Sequence, residues 1–573
     1  MLPSTVTGQK SPRAHGIEQL LSMRVFLVLA LCLVALVFAV YSPCLGFQFI
    51  LDDHRYTADP RIQDAGHICE YFTSFVWAQF KGGPNSFYRP AFLLWMRFNF
   101  LLNGSASWGW HLFSILKHIL VAALLGSLVW KLLRDSAAAL SSATLFALHP
   151  AQTESVSWVT VPDPLVGAGL LIALLSYFQY LHPPAINDQV GRTKGKKRSK
   201  PETTKSGKWL VASVAAYFAA LLAKETAIVF PVVIFAVSLN PSASQSASQN
   251  QANRIGPSYG TWKQSVRHTL PFIVATGLYL LLRLNALGVA VAANTQQLPW
   301  ISVVLSWPAI LWFYAKALFW PWRPHSFADP LVIGRFSARE VLLPLLDVVG
   351  ALALVAAVSL WALARARRNL GGEKAARVRC VSVIGILLLI LPLLPALDLN
   401  GLNPGDFLHG RYTYLSLLGL MLLLAVALST AEHRNVLLLV SCALAIAFSV
   451  STFAQEKQWK NDATVFAIAH EIAPNNPVVA QNLADTHVQA AIKLGDEGHC
   501  SEAIPILQQV IRDFPQDWKA WAAQGNCYVQ LNNLVAGENS LQRAAAISKN
   551  STVIQYWQEL RARMGLPATG LPN

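Results

Sequence analysis

The chain is 573 residues long, 54% hydrophobic and only 13% charged, with a formal net charge of +15. Soluble domains carry about 25% charged residues, so a wholly soluble protein is excluded and a multi-pass membrane protein is indicated. The positive excess does not mark a nucleic-acid binder. It concentrates in "GRTKGKKRSKPETTKSGK" (191–208) and "RARRNLGGEKAARVR" (365–379), short loops between apolar runs where the positive-inside rule accounts for it, and neither loop interleaves aromatics.

In chain order, residues 1–22 read as a cytoplasmic amino terminus carrying Lys10 and Arg13. The first apolar run, near 23–42, exceeds the ~7–15 apolar residues of a cleavable signal and is expected to stay as an anchor. Further runs lie near 109–133, 137–149, 162–181, 208–223, 225–239, 269–288, 301–320, 342–364, 379–397, 411–430 and 434–453, several of them shorter than the ~20 residues a spanning helix needs. Both basic loops are expected in the cytoplasm, so an even number of crossings must separate them, yet five runs do. Either 301–320 is re-entrant or interfacial, or 208–239 bends once around "AKET". Both solutions give about 11 spans for a transmembrane domain over 23–453. They place the first outer loop (43–108), segments 149–164 and 398–410, and the carboxyl terminus on the non-cytoplasmic face. Within that loop, "AFLLWMRFNFLLNG" (91–104), interrupted by Arg97, suits a helix lying along the membrane surface.

After 453 the charged and amide content rises, and 454–573 is expected to be an extracytoplasmic helical domain. "DWKAWAAQGNCYVQLNNLVAGENSLQRAAA" (517–546) fits the tetratricopeptide pattern through Trp521, Gly525, Tyr528, Gly537, Leu541 and Ala544. A preceding unit matches at Gly498, Ala503, Leu507 and Pro515, with a first helix about two turns too long. The seven cysteines are scattered, with no CxxC pair and no zinc-like spacing, so neither a disulfide framework nor a structural metal is expected. The cofactor question stays open, a divalent cation included.

The chemistry-bearing stretches are "GFQFILDDHRYTADPRI" (46–62), "YRPAFLLWMRFNFLLNG" (88–104), "HPAQTESVSWVTVPDPL" (149–165), "LLAKETAIVFP" (221–231) and "GRYTYLSLLGL" (410–420). In this order, and with the terminal repeats, they resemble the transmembrane-and-tetratricopeptide-repeat O-mannosyltransferases and their bacterial relatives in the GT-C glycosyltransferase superfamily. The resemblance implies an all-α, GT-C-type polytopic bundle followed by a short tetratricopeptide-repeat domain. It also implies transfer of a sugar, mannose or a similar hexose, from a polyprenyl-phosphate carrier to a hydroxyl, as in protein O-glycosylation on the non-cytoplasmic face. Carried over residue by residue, it makes Asp52 and Asp53 the catalytic pair, with Asp52 the base. It puts Arg89, Glu154 and Asp163 at the acceptor vestibule and Lys224 and Arg411 at the donor phosphate. Those types suit the chemistry: a carboxylate deprotonates the attacking hydroxyl, and cations hold the departing phosphate.

Blander alternatives stand beside each assignment. Asp52 and Asp53 can cap a turn, as can Glu154 and Asp163, while Arg89 and Arg411 can snorkel to the headgroups and Lys224 can pair with Glu225 at a helix break. The implied partners are a polyprenyl-phosphate-linked sugar, a protein or glycan acceptor, membrane lipid and a protein docked on the repeats, without nucleic acid. A bacterial inner membrane is the expected location. Two rival functions are a transporter or flippase, which should show inverted repeats that the halves lack, and a repeat-bearing scaffold without catalysis, which would scarcely need eleven spans.

Overall fold

The computed structural model describes residues 28–80, 87–181, 204–240, 262–288, 297–324, 327, 331–402 and 408–567. Segment 1–22, expected from sequence to be cytoplasmic, and positions 191–203 of the first basic loop lie outside them. Among the described residues no strand occurs, and the chain forms the all-α polytopic bundle that composition indicated. It divides into two compact units, the first ending at Trp459 and the second running from Lys460 onward, with Phe327 grouped with the second.

The helices of the first unit are α1 (Val28–Gly46), α2 (Pro90–Asn103), α3 (Ser107–Leu133), α4 (Ser136–Leu148), α5 (Asp163–Leu181), α6 (Gly207–Ala223) and α7 (Glu225–Ser238). They continue as α8 (Trp262–Leu287), α9 (Trp300–Phe319), α10 (Ala338–Asn369), α11 (Gly372–Leu397), α12 (Gly410–Thr430) and α13 (Arg434–Trp459). Among the described residues, nine are long and apolar enough to cross a membrane, and α4, α6 and α7 are shorter apolar helices. Among the described residues, every apolar run is helical. The two places considered for a broken span differ: α9 is one continuous helix, whereas the chain breaks at Lys224, which is extended, and resumes through a tight 3-10 turn over Glu225–Val229.

Small residues set the closest approaches. A Cβ on Gly419 of α12 would collide with the Gly385 and Leu389 backbone of α11, so these two helices meet backbone to backbone, as small residues allow in membrane bundles. The α3–α4 hairpin turns at Arg134, in the left-handed region at φ 56, and Asp135 then caps α4 by accepting from the Ala138 amide at 3.0 Å. At the basic 365–379 stretch, Gly371 (φ 78) makes the turn and Arg367 and Arg368 sit in the last turn of α10, where cations suit the helix dipole.

The first outer loop is organised by a buried ion pair. Arg61 and Asp59 are 0% and 1% exposed and paired at 2.7 Å, and Arg61 also donates to Ser74 Oγ and to the Phe75 and Val76 carbonyls. Arg97, which interrupts the apolar α2, donates to the Ile62 and Gln63 carbonyls at 2.7 and 2.6 Å and fastens the loop to that helix. Arg61→Met would strand Asp59 without its partner, so thermal unfolding of the detergent-solubilised chain should show a loss of about 3–5 kcal/mol. A change below about 1 kcal/mol would contradict this role.

The second unit contains α14 (Asp462–Ile472), α15 (Pro477–Asp496), α16 (Cys500–Asp513), α17 (Trp518–Gln530), α18 (Leu534–Ser548) and α19 (Ser551–Arg563), each packed on the next. The small residues of the repeat pattern lie where α17 and α18 touch: a Cβ on Gly525 would meet Leu541 Cγ at 2.6 Å, and one on Gly537 would meet Val529 Cγ2 at 2.7 Å. As the sequence suggested, α15 is long, 20 residues against 13 for α17.

Candidate active site

The outer loops of the first unit surround a cavity of about 380 Å³. Asp52, Arg89, Lys224 and Arg411 line it, four of the seven residues singled out from sequence. Arg55, Arg283, Glu225, Asp398, Trp158 and Tyr412 line it as well.

The acidic pair divides. Leu51 takes a left-handed conformation (φ 51), which a branched side chain adopts only at a cost, and the next residue starts the short helix Asp53–Ala58. Asp52 precedes that helix and its carbonyl accepts from the Arg55 and Tyr56 amides at 3.0 and 3.1 Å, while its side chain lines the cavity. Asp53 is 0% exposed and faces the protein: Oδ2 accepts from the Ile50 amide at 3.1 Å and Oδ1 from Thr160 Oγ1 at 2.7 Å, joining the first outer loop to the second.

Burial raises the Asp53 carboxyl from its usual 3.8 to about 7, against the lowering effect of Thr160. Between those values the folded chain holds a proton that the unfolded chain has released. The stabilising contribution is complete below 3.8 and is lost as the pH rises through about 7. The melting temperature of the wild type should therefore fall, relative to Asp53→Asn, across this window. A difference that stays constant or reverses sign would refute the assignment.

The other acidic candidates hold the cations. Asp163, at the start of α5, accepts from Lys224 Nζ at 2.8 Å with both oxygens, and Lys224 lies 5.0 Å from the Tyr412 ring centre. Glu154 accepts from His409 Nδ1 at 2.9 Å and from the Arg411 amide at 3.1 Å, with Arg411 Nη1 at 3.6 Å. Burial opposes the charge of Glu154, but His409 and Arg411 outweigh it and hold the carboxyl below its usual range. The Arg411 guanidinium lies 4.4 Å from the Trp158 ring centre. Glu154 and Asp163 thus act from behind the cavity wall.

Arg89 pairs with Glu225 through two hydrogen bonds, Nε to Oε2 at 3.1 Å and Nη2 to Oε1 at 2.6 Å. Burial works against its charge, and Glu225 overcomes that and raises its pKa. Lys224 and Glu225 therefore do not pair with each other, as one reading of "AKET" had it; adjacent side chains diverge and each meets a distant partner. Glu225 and Asp398 were not chosen from sequence. An acid beside a chosen lysine was the available signal for Glu225, and nothing local distinguishes Asp398. His149 sets a turn, accepting from the Ala151 amide at 3.3 Å, with its Nε2 3.1 Å from the Leu318 carbonyl.

A second, apolar groove of about 350 Å³ lies among α2, α5 and α6, lined by residues that include Ala91, Leu94, Trp95, Phe98, Leu165 and Ala223. Its lining neighbours that of the polar cavity along the chain: Arg89 and Ala91 are two residues apart, and Lys224 follows Ala223, one of each pair lining the cavity and the other the groove. Among the described residues no group of three or more His, Cys, Asp or Glu side chains is placed to hold a metal ion.

No protein-family profile matches the chain. Curated relatives do, and they are protein O-mannosyl-transferases, as the motifs implied. The Drosophila melanogaster protein O-mannosyl-transferase Tmtc2 is 32% identical over 151 residues, 26% of this chain and 16% of that protein. The human protein O-mannosyl-transferase TMTC1 is 26% identical over 483 residues, 78% of this chain and 50% of the relative. The matched region thus spans at most half the length of either relative. Among solved structures, the apo oligosaccharyltransferase of Archaeoglobus fulgidus aligns with a TM-score of 0.41 and 13% identity, covering 80% of this chain and 59% of that one.

Proposed function

We propose that the chain is a membrane glycosyltransferase of the GT-C type that moves mannose or a similar hexose from a polyprenyl-phosphate carrier to a protein hydroxyl. The observation that carries this reading is a cavity lined by Arg89, Lys224, Arg411 and the Asp52 carboxylate, with an apolar groove lined by the neighbouring residues Ala91 and Ala223. A phosphate fits the cavity and an isoprenoid tail the groove. The similarity to O-mannosyl-transferases supports the same chemistry.

In the proposed reaction the acceptor hydroxyl attacks the anomeric carbon from the face opposite the phosphate, with inversion. The bond from that carbon to the carrier phosphate oxygen breaks as the bond to the acceptor oxygen forms, and the hydroxyl proton passes to Asp52. Arg89, Lys224 and Arg411 stabilise the charge growing on the departing polyprenyl phosphate. Asp53 positions the turn that presents Asp52, and Glu154, Asp163 and Glu225 orient the cations. We place the cavity on the non-cytoplasmic face, in a bacterial inner membrane, with the second unit serving as a short tetratricopeptide-like platform for an acceptor or partner protein.

The test is transfer by the purified full-length chain in detergent, using a polyprenyl-phosphate-linked labelled mannose and a serine- and threonine-containing peptide. Labelled peptide and free polyprenyl phosphate in equal amounts are expected. Absence of transfer across hexose donors, with the folded protein verified by its melting curve, would overturn the reading. Detergent removes any gradient, so transport alone cannot yield the product.

A further inference from the structure

The cysteines are scattered in sequence, yet the second unit brings two of them together. Cys500 opens α16 and Cys527 lies in α17, both buried. A Cβ on Gly495 of α15 would stand 3.1 Å from Cys527 Sγ and 3.9 Å from Cys500 Sγ, so the two sulfurs flank one glycine, and the thiols are in hydrogen-bonding contact. Cys500 Sγ also donates to Gln530 Oε1 at 3.3 Å. Gly495, Cys527 and Gln530 line a cleft of about 470 Å³ whose wall includes Asp496 and Asn526, which gives a reagent a path to Cys527.

We propose that Cys500 and Cys527 form a dithiol that closes to a disulfide across the α16–α17 hairpin when offered the reactive disulfide of a thiol–disulfide oxidoreductase. Cys500 is the first residue of a 14-residue helix. Burial, and then the neighbouring sulfur, push Cys527 up to about 12. Cys527, which lines the cleft, attacks the oxidant disulfide, forming a mixed disulfide and passing its proton to the thiolate it expels. Cys500 then attacks Cys527 Sγ, and its proton goes to the second expelled thiolate. Two S–H bonds and the oxidant S–S bond break; one protein S–S bond and two thiols of the oxidant form. The closed loop restricts the unfolded chain and stabilises the unit. Gly495 leaves room for the sulfurs, which any side chain there would crowd.

The proposal does not depend on the glycosyltransferase reading. The full-length chain in detergent is incubated with oxidised glutathione, quenched in acid, then alkylated under denaturing conditions and mapped by mass spectrometry. The expected product is a Cys500–Cys527 cross-linked peptide pair, lighter by two hydrogens than the reduced pair, with a melting temperature several degrees above that of the reduced chain. C527S should lose both the cross-link and the shift. Recovery of both cysteines alkylated, or a lasting glutathione adduct on either, would overturn the proposal, and the wild-type map alone decides this if a variant does not fold. A cross-link without a rise in melting temperature would overturn the stabilising role.

Discussion

Asp52→Asn should lower kcat for sugar transfer by about 10²–10⁴-fold, the range general-base removal produces, with KM for the carrier and the melting temperature nearly unchanged. The split between kcat and KM follows from geometry. Asp52, Arg89, Lys224 and Arg411 line the same cavity, and in the proposed reaction the three cations hold the phosphate while Asp52 takes only the proton. Asparagine keeps the size of the side chain but cannot take the proton. Asp53→Asn should behave differently, moving stability with pH more than the chemical step, because its carboxylate bonds Thr160 and the Ile50 amide. Single-turnover transfer of a labelled hexose measures both. Full activity in the Asp52 variant together with loss in Asp398→Asn would move the base to Asp398, another carboxylate lining the cavity.

Asp163→Asn should cost about 3–5 kcal/mol of stability, because it leaves the Lys224 ammonium buried beside a neutral amide. The side chains are 5% and 3% exposed and meet at 2.8 Å, so little water can replace the lost partner. Lys224→Met alone should cost a similar amount by stranding Asp163. Replacing both, as Asp163→Asn with Lys224→Met, should restore much of the melting temperature while leaving transfer impaired, since the proposed reaction loses the ammonium that would hold the leaving phosphate. Thermal unfolding and turnover measured on the four proteins form a double-mutant cycle. Additive losses in the cycle would mean that the two charges do not act as a pair.

Sequence made the architecture legible because apolar length and helical periodicity are local properties. Among the described residues all the apolar runs are helices, including 91–104 with its Arg97, though the tie of Arg97 to the Ile62 and Gln63 carbonyls was not legible. Gly525 and Gly537 stood out because small residues recur where helices touch. Partnerships were less visible. Nothing near Asp163 announces Lys224, nor does Arg89 announce Glu225, because these bonds depend on tertiary packing. The same holds for Asp52 and Asp53, which look alike in sequence and are separated only by a left-handed Leu51 that turns one inward. The α13 helix shows a smaller limit: the apolar run ends near 453, while the helix and its closing turn continue to Trp459 through residues of mixed polarity.

Each of the cations Arg89, Lys224 and Arg411 has a carboxylate of its own in Glu225, Asp163 and Glu154. In the proposed reaction a departing phosphate would therefore meet cations that are already paired and would compete for them instead of falling into a deep electrostatic well. Such balance would favour turnover over product trapping, letting the spent carrier return to the bilayer.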